Sequence, residues 1–302
     1  MNTSLSLSFI ILNWNRAEDL GQLLASIIGQ LDKDDEIIVV DNGSTDNSVA
    51  LVQRNFPGVT TVPLQENLGV SGFDVGVGQA KGTYVVLLDN DTILPEGTTA
   101  GIRKAVEKHP GYTVFALNMV TPDGVRQKDY LPQKASSAVP WHNFIGGGVV
   151  FLTSVYKRLG GYEPTYFIYI NETEYAARLL LAGEKILFCP AVKIIHKTSP
   201  AARISSLSYY YYIRNSILFM KTYFRLIKRI DLLIGFLLIN FKISIKDGHT
   251  GTYIRGLYSG IVTRPFYKPA KKLHAQLASV FAGSWQGNPA LSHILKKKLC
   301  KK

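Results

Sequence analysis

Between Leu7 and Leu88 the chain alternates strand-length apolar runs with segments of helical period, and this alternation constrains the fold most. Leu7–Leu12 is an uninterrupted apolar run apart from Ser8, and Ala17 to Gln30 carries Leu20, Leu23, Leu24, Ile27 and Ile28 on one helical face. Glu36–Asp41 repeats the strand signal, "NGSTDNS" supplies a turn, and Ser48–Phe56 reads as a second helix. "VTTVPL", a Gly-containing helix over Gly72–Ala80 and "YVVLL" complete a further unit. Strands separated by helices predict βαβ units and an α/β fold with a mostly parallel sheet. In such sheets ligands bind beyond the carboxyl ends of the strands. Asn13, Asp41 and Asp89 all stand at such ends.

The fourth run leads directly into Asp89-Asn90-Asp91. An ionised carboxylate buried without partners carries a large desolvation penalty, so this pair belongs at an edge with a cation or donors nearby. Two carboxylates at i and i+2 suit Mg²⁺ or Mn²⁺, which use one or two carboxylates together with substrate phosphate oxygens. The alternative is a plain turn, with Asp91 capping the next helix. The same choice holds at Asp41, which can accept from a nucleobase or ribose or can close an Asx-turn. In "ENLGVSG" the glycines allow close backbone approach to a ligand or serve a tight turn.

Beyond Pro95 the sequence predicts a helix, strands at "TVFALN" and "GGGVVFL", and then a helix over "ETEYAARLLL" stopped near Gly183 and followed by a strand. From Ser206 the character changes to long apolar stretches mixed with Lys and Arg, which places a domain boundary at 205/206: a catalytic domain over 1–205 and a helical region over 206–302. The chain of 302 residues carries a formal net charge of +12, and the excess lies from Arg203 onward, ending in "KKKLCKK". Such a charge calls for an anionic partner. No zinc-finger, helix-turn-helix or RNA-binding signature accompanies it, so nucleic acid is not expected. "DLLIGFLLINF" is too short to span a bilayer and sits between cationic flanks, which fits an interfacial helix on an anionic membrane surface; a helix packed on the catalytic domain or an oligomer interface are the alternatives. Cys189 and Cys300 have no metal-like or redox-like spacing, which suits a reducing compartment. The N-terminal run has no basic n-region or cleavage site and reads as a first strand. The expected location is the cytoplasm, peripheral on the inner face of the plasma membrane.

Taken in order, "ILNWN", "VVDNGSTDNS", "ENLGVSG", "YVVLLDNDT", "GGGVVF", "LGGYEPTYFIYINETEYAAR" and "HKTS" resemble the family 2 glycosyltransferases, in particular the rhamnosyltransferase-like branch, over residues 7–220. The resemblance implies the A-type glycosyltransferase fold and inverting transfer of a sugar from a nucleotide donor. It implies that Asp91 is the main carboxylate on Mg²⁺ or Mn²⁺, with Asp89 on the ribose or a metal-bound water and Asn90 between them. Asp41 then reads the base, Asn13 and Asn15 line the same pocket, and Asn67 and Gly69 follow the nucleotide. Gly147 and Gly148 form a floor near the transferred sugar or acceptor. His196 matches a further metal ligand, its alternative being an ordinary histidine at a strand end.

On the acceptor side relatives carry a Glu-Asp pair, where this chain has Asn171-Glu172. Glu172 is the expected general base, with Glu174 two residues on as the other candidate; both also suit the first turn of a helix, where acids favour the dipole. Arg178 either helps hold diphosphate and orient carboxylates or forms a structural salt bridge. The implied donor is dTDP-rhamnose, then a UDP-linked hexose, and the implied acceptor is a lipid-linked oligosaccharide of cell-surface polysaccharide synthesis. Two other classes remain at this point: a sugar nucleotidyltransferase, which would carry a Gly-rich basic loop where this chain has "NWNRAED", and a non-catalytic nucleotide-sugar binding subunit.

Overall fold

A computed structural model describes residues 5–127, 130–197 and 205–284. The basic tail with Cys300 and the last two residues of "HKTS" lie outside them. The chain divides into two compact units, one within residues 1–162 and 182–199, the other within 163–181 and 200–302. This differs from the expected division at 205/206 by grouping Glu163–Leu181 with the second unit.

The first unit is built on a nine-stranded sheet. Its elements are β1 (Leu7–Asn13), α1 (Ala17–Ile28), β2 (Glu36–Asp41), α2 (Ser48–Asn55), β3 (Thr60–Pro63), α3 (Gly72–Gln79), β4 (Tyr84–Asp89), β5 (Thr92–Ile93), α4 (Thr98–Lys108), β6 (Val114–Val120), β7 (Val139–Trp141), β8 (Gly148–Leu152), α5 (Thr153–Leu159) and β9 (Ile186–His196). The strand order is β3-β2-β1-β4-β8-β6-β9-β5, with β7 also paired to β9. The expected mostly parallel sheet is corrected here. β1, β2, β3 and β4 pair in parallel, but β8 runs antiparallel to both β4 and β6, and β5 and β7 run antiparallel to β9. The parallel half needs the helical crossovers the sequence shows. β8 follows the short β7 instead, through a loop, and enters the sheet reversed.

Fully buried runs such as Val85–Leu88 and Val149–Phe151 make the sheet the core of this unit, and Leu20, Leu23, Leu24 and Ile27 of α1 cover one face. Burial of that α1 face is worth about 1.5–3 kcal/mol per large side chain, which is why the 3.6-residue spacing fixes the helix.

The second unit contains α6 (Asn171–Leu181), α7 (Ser206–Tyr223), α8 (Leu226–Lys246), α9 (Thr250–Val262) and α10 (Ala275–Ser284). α7 and α9 approach closely where α9 offers Gly256 and Gly260: a Cβ at Gly260 would stand 2.8 Å from the Arg214 carbonyl oxygen. Glu163 is buried and its carboxylate accepts from the backbone N–H groups of Phe266 and Tyr267 at 3.0 and 2.7 Å, tying the segment after α9 to the start of this unit. Among the described residues no helix is long and apolar enough to cross a membrane.

Candidate active site

The polar site of the first unit is assembled by strand register. β1 and β2 place Asn13 beside Asp41, and β4 ends at Asp89, opposite Leu12 of β1. Asn13 is fully buried; its amide donates to Asp41 Oδ1 at 2.9 Å and its carbonyl oxygen accepts from Asn90 at 2.8 Å. The second Asp41 oxygen accepts from the Ser44 N–H at 3.0 Å. Asn13, Asp41 and Asn90 thus form one buried network that ties three strand ends together. Asn15 sits at the loop surface with φ +50° and accepts from the Thr45 and Asp46 N–H groups. Asn42 clamps the following loop: it donates to Asn67 and to the Gly69 carbonyl and accepts from Leu68. Gly43, at φ +75°, lets that loop close, since a Cβ there would meet the Glu66 backbone at 2.9 Å.

β5 makes the decisive junction. Its antiparallel pairing with β9 sets Thr92 opposite His196, and the Lys197 N–H donates to the Asp91 carbonyl at 2.9 Å. The pairing carries His196 to the aspartates although 105 residues separate it from Asp91 in the chain. His196 Nε2 lies 3.1 Å from Asp91 Oδ1, and donor atoms of Asp89, Asp91 and His196 all lie within 4.8 Å of one another. A hydrogen bond to Asp91 raises the His196 pKa against the opposing effect of burial, with the charges of Asp91 and Asp89 adding to the rise. Gln127 approaches the other ring nitrogen at 2.6 Å. Gly147 is required beside Asp89, because a Cβ there would overlap the carboxylate; one at Gly148 would stand 2.8 Å from Met119.

Two oxygen ligands and one imidazole nitrogen on half-buried side chains form a donor set that Mg²⁺ or Mn²⁺ accepts, with room left for substrate oxygens. Arg16, 3.9 Å from Asp91, adds a cation at the same rim. Beyond it an open cavity of about 710 Å³ is lined by Asn15, Arg16, Glu18, Asp19 and Asp46. Its three carboxylates disfavour a diphosphate there. Against burial, which pushes it up, Lys197 and Arg16 hold the Asp19 carboxyl below its ordinary value. Arg16 and Gln127 are not among the residues the sequence singled out. Arg16 lies within the quoted "NWNRAED" but stands outside the strand; Gln127 gives no local signal at all.

The family model for glycosyl transferase family 2 matches residues 8–168. The chain belongs to glycosyl transferase family 2. Its fold is A-type-like with a mixed sheet, and the matched stretch spans about a third or less of the first two curated relatives. It is similar to an uncharacterized glycosyltransferase of Nostoc sp. (strain PCC 7120), 37% identical over 93 residues, which are 30% of this chain and 29% of that protein. It is also similar to the N-acetylglucosaminyl-diphospho-decaprenol L-rhamnosyltransferase of Mycobacterium tuberculosis, 21% identical over 231 residues, covering 63% of this chain and 75% of that one. Among solved structures it resembles a mannosyltransferase of Pyrobaculum calidifontis in complex with GDP-Man and Mn²⁺, with TM-score 0.55, 17% identity, and coverage of 98% of this chain and 87% of that one.

The second unit holds the acidic helix. Phe167, Tyr169 and Ile170 all adopt positive φ just before α6, at 61°, 66° and 65°. The Asn215 amide holds this strained segment through the carbonyls of Tyr166, Ile168 and Tyr169. Glu172 is half-buried in the first turn of α6, and Asn171 is buried. Glu174 is 2% exposed; Arg178 Nε and a terminal nitrogen donate to its two oxygens at 2.8 and 2.9 Å, and the Tyr223 hydroxyl donates to Oε1 at 2.5 Å. Burial pushes the Glu174 carboxyl up although Arg178 and Tyr223 pull the other way. The structure thus gives Arg178 the salt-bridge alternative and engages both oxygens of Glu174 within the unit.

Proposed function

We propose that this enzyme moves a sugar, rhamnose favoured, from a nucleotide-diphosphate donor to a lipid-linked glycan acceptor, with inversion at the anomeric carbon. The observation that carries the reading is the Asp89, Asp91 and His196 cluster at the ends of β4 and β9. These residues would hold Mg²⁺ or Mn²⁺; when bound, the cation supplies charge neutralisation to the departing diphosphate. Arg16 adds positive charge at the same rim, and the Asn13, Asp41 and Asn90 network fixes the loops that receive the nucleoside. In this reading Asp41 faces the base and Asn67 and Gly69 follow the nucleotide, with Gly147 and Gly148 keeping the floor beside Asp89 clear.

Glu172 removes the proton from the attacking hydroxyl of the acceptor, an effect typically worth ~10²–10⁴-fold. A single attack opposite the leaving group inverts the configuration, and no protein nucleophile is used. Cys189 does not supply one: it is buried, and burial pushes its thiol up to about 12. The donor favoured is dTDP-rhamnose, followed by a UDP-sugar. The rhamnosyltransferase of Mycobacterium tuberculosis, named for an acceptor joined to decaprenol through diphosphate, supports the lipid-linked acceptor and the rhamnose donor. The mannosyltransferase bound to GDP-Man and Mn²⁺ supports a divalent cation. The site of action proposed is the inner face of the plasma membrane.

The test is a thermal-shift panel of nucleoside diphosphates and their sugars with and without Mn²⁺, followed by transfer assays with the stabilising donor. A ligand that binds the native state raises the apparent melting temperature. A cation-dependent shift with dTDP-rhamnose, then transfer to a polyprenyl-diphosphate sugar, is the expected result. Stabilisation by another nucleotide sugar would replace the donor. No shift with any donor in the presence of cation would remove the reading.

A further inference from the structure

Helix α8 is built inside out. Its buried face consists of Leu232, Gly235, Phe236, Asn240 and Ser244, two of them polar. Its opposite face carries Ile227, Ile230, Ile234, Leu238, Phe241 and Ile245, exposed from 86% at Ile227 to 40% at Ile234. Their spacing of three and four residues forms a single row along the helix. A helix that only had to cover its own unit would turn this row inward and leave Asn240 and Ser244 in water. α9 extends the surface, with Ile254, Tyr258 and Ile261 exposed while Gly256 and Gly260 press against α7. Exposed apolar rows of this length on two neighbouring helices mark a contact site.

Charge identifies the occupant. Between residues 206 and 284 the acids are Asp231 and Asp247 alone. Lys242 and Lys246 lie beside the apolar row and make no ion pair among the described residues. Arg225, immediately before Leu226 and Ile227, lines a cavity of about 450 Å³ with Lys271, Lys272 and His274 over Leu180, Leu181 and Leu277. Among the described residues no carboxylate lines that cavity. A second copy of the chain would set one strongly basic surface against another and be repelled. An anionic bilayer offers both an apolar interior and a negative surface.

We propose that the outer face of α8 and α9 docks on an anionic lipid bilayer, with the helices lying in the headgroup plane and the cationic cavity receiving a lipid phosphate. The helices lie on the bilayer, since neither α8 nor α9 is long and apolar enough to cross it. The lipid setting is shared with the function proposed above, but vesicle binding is measured without sugar transfer, so either can fail alone.

The experiment is flotation of the full chain with phosphatidylcholine vesicles and with vesicles that also contain phosphatidylglycerol. Wild type should float with the anionic vesicles, bind the neutral ones at least about tenfold more weakly, and stay partly bound when salt is raised afterwards, because apolar insertion is not screened. The double variant Ile234→Ser, Leu238→Ser leaves the basic tail intact and replaces exposed residues, so its circular dichroism and melting temperature should match wild type. Its salt-resistant binding should fall at least about tenfold. Unchanged binding by that variant, or no flotation of wild type, overturns the proposal. So does a wild-type dimer in sedimentation velocity that the variant dissolves without loss of vesicle binding.

Discussion

His196 Nε2 stands 3.1 Å from Asp91 Oδ1, and the contact exists because β5 pairs antiparallel with β9. The two residues are therefore held by backbone ladder bonds and not by side-chain chance. In the metal-free protein the His196 pKa is raised, mainly by its hydrogen bond to Asp91. A metal at the same place must displace the Nε2 proton. Apparent Mn²⁺ affinity should therefore strengthen as pH rises through and above the ordinary histidine value of about 6.5. The sign for metal-free stability is opposite. A raised histidine contributes stability fully present below about pH 6.5 and lost as pH rises through the folded value. Isothermal titration with Mn²⁺ across this range, beside metal-free melting curves, checks both slopes, and His196→Asn should flatten both.

Gln127 should act on the metal through His196. Its amide nitrogen lies 2.6 Å from Nδ1, and turning the amide over puts its oxygen there. With the oxygen turned toward the ring it accepts the Nδ1 proton and leaves Nε2 bare for a cation. Gln127→Ala should weaken Mn²⁺ binding by about 10–100-fold, the usual effect of losing an outer partner of a histidine ligand. Gln127→Glu, which accepts more strongly, should keep affinity near wild type. Loss of binding in both variants would reduce Gln127 to a packing role.

Gly147→Ala should injure the site locally. A Cβ at 147 overlaps the Asp89 carboxylate, so either the loop or the aspartate must move. Overpacking of this kind costs about 1–3 kcal/mol, and here it also displaces an oxygen of the proposed metal site. Reduced Mn²⁺ affinity together with a lowered melting temperature is expected. Gly111→Ala, where a Cβ meets nothing within 4 Å, is the matched control and should be neutral.

The parallel half of the sheet was legible because each strand and each crossover helix leaves its own period in the sequence. Strand direction leaves none. The runs "TVFALN" and "GGGVVFL" read as strands, but an apolar run is the same forwards and backwards, so the antiparallel entry of β8 between β4 and β6 was not visible. Asp89, Asp91 and His196 could be picked as ligand types, yet their meeting depends on two residue pairs of β5 and β9 that no local pattern announces. Arg16 and Gln127 reach the site from loops and were missed for the same reason. Glu172 and Glu174 look alike in sequence. Only the packing of α6 in its own unit, with Arg178 and Tyr223 around Glu174, separates them.

That separation gives the sharpest test of the acidic helix. Glu174 is buried with both oxygens engaged, so Glu174→Gln removes one charge of a buried pair and leaves Arg178 uncompensated. Breaking such a pair costs about 3–5 kcal/mol. Its melting temperature should fall sharply, and the activity of the fraction that remains folded should stay close to wild type. Glu172 is half-buried in the first turn of the same helix. Glu172→Gln should melt well above Glu174→Gln and reduce kcat by ~10²–10⁴-fold, with little effect on donor binding. The two variants differ from wild type by the same atoms, so a difference in which quantity moves cannot come from chemistry of substitution and must come from place. If Glu174→Gln melts like wild type and loses turnover while Glu172→Gln stays active, the base is Glu174, and the ion pair with Arg178 must open during the reaction.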